Sequence, residues 1–337
     1  MHDASAASRI FLTGGTGFIG SQLAQFAIRA GHTVTVASPI NNATEKFRCD
    51  LLERAGIVIV EAALDDTSRL RAALAGHDAV IHLAAAQHEA EAPESHFHKV
   101  NVEGTRNLLT LAHEANVRRF VHGSTIGVYG NAYRSVLDES SPLAPDNPYG
   151  RTKAQAEAVV REFRNRLEVA IVRISETYGP ADLRLLKLFR AIKRGRYITL
   201  GSGANERQLI YVDDLCRALL AAVRAPAAAG ETMILAGDER ITTDAMVAWI
   251  STALGKPPRA RHAPLWPFDV AAAIFETCLP PLGIKPPLHR RRLDFFRKSF
   301  RFSTDRAVCL LNFHPEVPFR DGARRTASWY EEAGLLS

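Results

Sequence analysis

Ile10-Phe11-Leu12-Thr13-Gly14-Gly15-Thr16-Gly17-Phe18-Ile19-Gly20 is a short apolar run, a glycine-rich turn and the opening of an amphipathic segment that continues to Ala30. A strand over Ile10–Leu12 followed by a helix over Gly17–Ala30 gives the glycines distinct tasks. Gly14 permits a tight turn, Gly17 lets a ligand approach the backbone, and Gly20 lets helix and strand pack closely. The helix start then offers N–H groups and a positive dipole end to an anion. The pattern is the one that cradles the pyrophosphate of a dinucleotide, with Gly14, Thr16, Gly17, Phe18 and Ile19 as its contacts.

Working outward, β-branched runs alternate with helical periods as far as Arg173. Strands are expected at Thr33–Ala37, Ile57–Val60, Ala79–His82, Arg119–Gly123 and Val169–Arg173, and helices at Thr44–Ala55, Ser68–Ala75, His96–Ala115 and Tyr149–Asn165. This alternation predicts an α/β fold, a Rossmann-type doubly wound parallel sheet with a smaller C-terminal α/β lobe for substrate. The dinucleotide domain is expected over 8–180, with 208–236 rejoining it through a helix near Asp213–Arg224 and a strand near Thr232–Leu235. Residues 181–207 and 237–337 are expected to form the substrate lobe, with helices near Asp182–Gly195 and Phe319–Gly334. The end of the second strand, Ala37-Ser38-Pro39, lacks the carboxylate that selects NAD, so Ser38, with Lys46 or Arg48 nearby, favours NADP over NAD.

Tyr149-Gly150-Arg151-Thr152-Lys153 begins a helix after Pro148, which places the phenol and the ammonium one turn apart on one face. An ammonium close to a phenol favours the phenolate, and an oxidised nicotinamide would add further positive charge. Tyr149 is therefore the candidate acid/base and Lys153 its activator. Thr125, just past the fifth strand in Gly123-Ser124-Thr125-Ile126-Gly127-Val128-Tyr129-Gly130, is the candidate second hydrogen-bond partner for the substrate oxygen.

The 337 residues are 47% hydrophobic and 23% charged, with no low-complexity tract, as in an ordinary globular protein. The net charge of +6 is scattered except near His289 to Arg301 and accompanies no nucleic-acid motif, so no nucleic-acid partner is expected. Cys49, Cys216, Cys278 and Cys309 form no CxxC pair, which fits reduced thiols in the cytoplasm. His82, His88, His96 and His98 match no ligand spacing, and no metal is assigned. The N-terminus lacks a secretory h-region, and no transmembrane segment is expected. Pro264 to Gly283 is apolar but interrupted by Asp269, Glu276 and prolines. That segment, with His289-Arg290-Arg291-Arg292 behind it, can pack between lobes, wall an oily substrate, or lie on a membrane surface as a peripheral contact.

Thr13–Gly20, Asp78-Ala79-Val80-Ile81-His82-Leu83-Ala84-Ala85, Asn101-Val102-Glu103-Gly104-Thr105, Gly123–Gly130, Tyr149–Lys153 and Tyr211-Val212-Asp213-Asp214 together resemble the extended short-chain dehydrogenase/reductase family, its NAD-dependent epimerase/dehydratase group. The resemblance runs nearly end to end. It implies Tyr149 as acid/base, Lys153 as activator and ribose ligand, and Thr125 as their hydroxyl partner. It also implies that Ser124 lines the nicotinamide site, that Leu83, Ala84 and Ala85 pass beside the cofactor, and that Asn101 supports the central helix.

Arg207, in Arg207-Gln208-Leu209-Ile210-Tyr211, looks like the arginine that meets a substrate diphosphate in sugar-nucleotide members, and Glu176 and Tyr178 join it as substrate residues. Glu176 stands where many epimerases have asparagine, and Ala63 stands where an adenine-side aspartate is common. Ile126-Gly127 replace the Asp-Glu of the 4,6-dehydratases, which disfavours dehydration. The leading expectation is a homodimeric NAD(P)-dependent 4-epimerase or ketoreductase of a nucleotide sugar. The alternatives are a dehydrogenase of a lipophilic alcohol or ketone and a non-catalytic NAD(P)-sensing protein.

Overall fold

Every strand of the main sheet has apolar side chains on both faces, so the sheet must be covered on both sides. The computed structural model describes residues 7–87, 92–130, 136–258, 261–279, 284, 287 and 290–336. Seven parallel strands, β1 (Arg9–Thr13), β2 (Thr33–Ala37), β3 (Val58–Val60), β4 (Ala79–His82), β5 (Arg119–Thr125), β6 (Glu168–Ile174) and β7 (Thr232–Leu235), lie in the spatial order 3-2-1-4-5-6-7. Ile10 and Leu12 enter one core and Phe11 the other, an alternation that β4, β5 and β6 repeat. The order reverses between β1 and β4, whose carboxyl ends are Thr13 and His82. Open sheets of this kind bind ligands outside that reversal.

One face is covered by α1 (Phe18–Arg29), α2 (Ala43–Arg54) and, from far along the chain, the helix Val212–Arg224. The other carries α3 (Thr67–Leu74), α4 (Gly104–Glu114) and α5 (Pro148–Glu162). The helix expected over His96–Ala115 begins at Glu94 and contains a π-turn, Lys99–Glu103, before α4. Asn101 occupies the π-turn.

A second apolar core lies outside the sheet. It joins α6 (Leu186–Lys193), α8 (Thr243–Ala253) and α12 (Phe319–Glu332) through Phe189, Met246, Ile250, Ala323 and Tyr330, with α7 being the Val212–Arg224 helix above. These elements fall within residues 181–207 and 237–337. The chain nevertheless returns to the sheet twice. β7 pairs with β6, and later Arg301–Phe302 pairs with Val136–Leu137 while Ala307, Leu311 and Phe313 enter the sheet core. Ala307, Leu311 and Phe313 are buried there beside α7. Between these two returns lie α9 (Trp266–Cys278) and α10 (Arg290–Arg297), and the helix Asp305–Leu311 is α11.

Charged groups buried at the sheet are paired. Arg119, fully buried at the start of β5, donates to the carbonyls of Ala222 and Ala225 at the end of α7 and to Glu168, so a cation meets the negative end of a helix. Arg173 on β6 holds Glu157 of α5 through two bonds of 3.0 and 2.8 Å, and Ser124 and Arg161 donate to the same carboxylate. Burial pushes the Glu157 carboxyl up, but these donors keep it below the ordinary carboxylate range. Removing one partner of such a pair leaves a buried charge uncompensated. Arg173→Met is expected to lower unfolding free energy by about 3–5 kcal/mol in chemical denaturation, with part of the loss recovered when Glu157→Gln is added.

Candidate active site

The turn after β1 lies hard against the segment after β4. Gly14 has φ +72°, and a Cβ there would sit 2.6 Å from the Ala84 nitrogen, so a larger residue would force the two loops apart. No side chain caps α1 at Gly17, which leaves the first-turn N–H groups of Phe18 and Ile19 available to an anion. The cradle fits a dinucleotide's phosphates. Thr16 and Ser38 share a hydrogen bond of 2.6 Å, and Arg48 donates to the Thr16 carbonyl at 2.9 Å. Arg48 thus stands at the end of β2, whereas Lys46 is turned to Asp50.

His82 locks the β4 side. Its Nδ1 lies 2.7 Å from the Thr13 hydroxyl and its Nε2 2.9 Å from that of Thr105, which itself donates to the Asn101 carbonyl. Thr105 must then accept, so Nε2 carries the proton and Nδ1 accepts from Thr13. Burial, helped by the charge of Lys153, pushes His82 down to about 3 and keeps it neutral. Thr13 in turn accepts from the Ala84 N–H at 3.3 Å. Asn101 binds both the N–H and the carbonyl of Ala86 and donates to Thr152 on α5, which ties the Leu83-Ala84-Ala85 segment to the helix bearing Tyr149. The sequence motif contains His82, but its use as a clamp depends on Thr13 and Thr105, which are remote in sequence.

Asn147 caps α5 by accepting from the Gly150 N–H at 3.0 Å, and Pro148 occupies the first turn. A Cβ on Gly150 would lie 2.7 Å from the Gly127 carbonyl, so only glycine lets α5 settle onto the loop after β5. That contact brings Tyr149 beside Thr125, whose hydroxyl accepts from the Gly127 N–H. Burial pushes the Tyr149 phenol up to about 12, against the Thr125 hydroxyl and the charge of Arg184. Lys153 is not among the groups that shift the phenol. Lys153 is buried, with its Nζ 3.2 Å from His122 Nε2 rather than against the phenol. Burial lowers Lys153 to about 8, opposed by Glu157 four residues on.

His122 was not anticipated. Burial, Lys153, His82 and Arg161 hold it well below its ordinary value, and its Nδ1 has no partner among the described residues. Ser124 turns its hydroxyl inward to Glu157 at 2.6 Å and not to the sheet's carboxyl edge, because the buried carboxylate needs the donor.

Arg207 and Glu176 come together, though not as two independent substrate contacts. Arg207 is buried, donates from Nη1 to both oxygens of the Glu176 carboxylate at 2.6 and 2.5 Å, and stacks its guanidinium 3.8 Å above the Phe295 ring. Tyr178 is 1% exposed, packs on Tyr211 and Phe319 within the second core, and lines a cavity with Leu209, Gly237 and Glu239. His88 and His289 lie outside the described residues. Among the described residues no group of histidines, cysteines and carboxylates could hold a metal, and no helix is long and apolar enough to cross a membrane.

Residues 10–236 match the NAD dependent epimerase/dehydratase family. A dTDP-glucose 4,6-dehydratase of Streptomyces niveus is 29% identical over 96% of this chain and 93% of its own. The N-acetyl-alpha-D-glucosaminyl-diphospho-ditrans,octacis-undecaprenol 4-epimerase of Escherichia coli O157:H7 is 28% identical over 76% of this chain and 75% of its own. Among solved structures, a double mutant of the dTDP-glucose 4,6-dehydratase DesIV from Streptomyces venezuelae, with NAD bound, superposes with a TM-score of 0.76 at 28% identity, covering 96% of this chain and 97% of that one. With two thirds of its length matched, the seven-stranded sheet in place and a dinucleotide cradle at its reversal, the chain belongs to the NAD dependent epimerase/dehydratase family.

Proposed function

We propose that the protein is an NAD(P)-dependent enzyme that moves a hydride at a hydroxyl-bearing carbon of a nucleotide sugar, as a 4-epimerase or ketoreductase. The observation that carries this reading is the hydroxyl pair Thr125–Tyr149 at the carboxyl edge of β5, next to the phosphate cradle. A nicotinamide dinucleotide bound there would supply and accept the hydride. Tyr149 exchanges the substrate hydroxyl proton, and Thr125 donates to the oxygen on which charge develops. Lys153 has its ammonium one turn from the phenol and a proton affinity already lowered by burial, so a small rearrangement from His122 toward Tyr149 would favour the phenolate. Ile126 and Gly127 provide no carboxylate after Thr125, so the elimination of water named in two of the relatives above is not part of this reading.

The missing carboxylate after β2 and the guanidinium of Arg48 beside Thr16 support NADP, whereas the DesIV structure holds NAD. Titrating NADH and NADPH by fluorescence separates the two. A cytoplasmic homodimer completes the proposal, supported by the four free cysteines and the family's habit of pairing through helices. A second reading, oxidation or reduction of a lipophilic alcohol, draws on the neutralisation of Arg207 by Glu176 and on the exposed apolar side chains of α9.

A thermal-shift screen of UDP-, GDP- and dTDP-sugars against sterols discriminates these readings, because a ligand that binds the folded state raises its melting temperature. If no nucleotide sugar shifts the transition, the leading substrate class is wrong. Tyr149→Phe is expected to reduce turnover by about 10²- to 10⁴-fold with dinucleotide affinity unchanged, and a normal rate in that variant would refute the mechanism. Glu176→Asn is expected to release Arg207 for phosphate oxygens and to enlarge the shift given by UDP or dTDP; an unchanged shift would remove Arg207 from the diphosphate site.

Lys153 also makes a pH prediction for the cofactor-free protein. Its folded value of about 8 lies below the ordinary 10.5, so below pH 8 the charge is buried at a cost, and stability recovers as pH rises toward 10.5. Lys153→Met should therefore exceed wild type in stability at neutral pH, by on the order of 1–3 kcal/mol, with the advantage shrinking across that window in thermal melts.

A further inference from the structure

Helix α9 turns its apolar side chains outward. Trp266, Val270 and Ile274 recur every four residues along one stripe and are 69%, 52% and 52% exposed. On the opposite side Ala272 is buried, and Asp269 is held in an ion pair with Arg297 of α10. A solvated helix has the reverse arrangement, with its polar face outward. Phe268 and Ile284 add exposed apolar surface nearby.

The charge of the chain is concentrated in the adjoining segment. Residues 279–301 contain Lys285, Arg290, Arg291, Arg292, Arg297, Lys298 and Arg301 against the single acid Asp294, a surplus of six. The whole chain carries +6, so the remainder is balanced and its net charge resides here. Arg297, Lys298 and Arg301 are engaged by Asp269, by Asp146 and Asp294, and by Glu206 respectively. Arg290, Arg291 and Arg292 open α10, which packs against α9, at the end where the helix dipole already repels cations. Such an arrangement suits a negative surface.

We propose that α9 and the basic stretch beside it form a docking face for an anionic lipid bilayer, with Trp266, Val270 and Ile274 entering the boundary between headgroups and acyl chains. Tryptophan prefers that boundary, and juxtaposed cations are attracted to the surface potential of anionic lipids. A second copy of the chain is a poorer occupant, because a two-fold contact would bring the same positive surplus against itself. The inference is independent of the nucleotide-sugar reading.

The test uses the full chain in co-sedimentation with phosphatidylcholine vesicles with and without phosphatidylglycerol, together with its size in solution. Binding to the phosphatidylglycerol vesicles alone, weakened by salt, is expected. The double variant Trp266→Ala/Ile274→Glu should weaken partition by roughly tenfold or more, while circular dichroism and dinucleotide binding stay as in wild type, since both positions are exposed. Absence of binding, equal binding to neutral vesicles, or undiminished binding by the folded variant overturns the proposal. Conversion of an oligomer to a monomer by the double variant, with vesicle binding unaltered, assigns the face to a second copy instead.

Discussion

The contact on which the molecule depends is the near collision of two loops at the point where the strand order reverses. The backbone after β1 and the backbone after β4 touch at Gly14 and Ala84, and no side chain fits between them. Glycine makes the approach sterically possible, but it does not by itself make it favourable. A neutral, fully buried histidine does that, since His82 is gripped by one hydroxyl from each side of the seam and one of those hydroxyls also receives the Ala84 N–H. The phosphate cradle, the segment beside the cofactor site and, through Asn101, the start of α5 are thereby fixed to one another.

Those observations explain why the active-site helix has the composition it has. α5 needs glycine where it meets the loop after β5, a polar cap at Asn147, and a buried carboxylate at Glu157 to hold Arg173. Tyr149 and Lys153 lie between these anchors. Burial raises the Tyr149 phenol and Lys153 lies against His122, so nearness along α5 does not by itself acidify the phenol.

Local signals made most of the fold readable from the chain. The β1 strand, its glycine turn and α1 are contiguous, and the strands alternate with helices at regular intervals, so six of the seven strands were expected within a residue or two of where they lie, and Thr232–Leu235 was expected to rejoin them. What could not be read was everything set by distant partners. Nothing near Glu176 announces that its carboxylate will pair with Arg207, and nothing near Tyr178 announces that Phe319 and Gly322 will pack on it from the C-terminal helix. The packing of the Asp305–Leu311 helix against β7 and α7 joins segments far apart in sequence. His122 shows the same limit, because its neighbour Lys153 is close only after α5 has packed.

The π-turn at Lys99–Glu103 has a geometric effect of its own. One residue more than a regular helical turn requires is accommodated there, so the axis continues while the faces on either side fall out of phase. Before the turn, Glu94 reaches Arg151 on α5; after it, Leu108 and Leu109 are directed into the sheet core. A continuous α-helix could satisfy only one of these neighbours. Loss of a single residue in this stretch would restore helical regularity and at the same time rotate Asn101 out of register with Ala86, which makes the length of this segment, more than its composition, the property least free to vary.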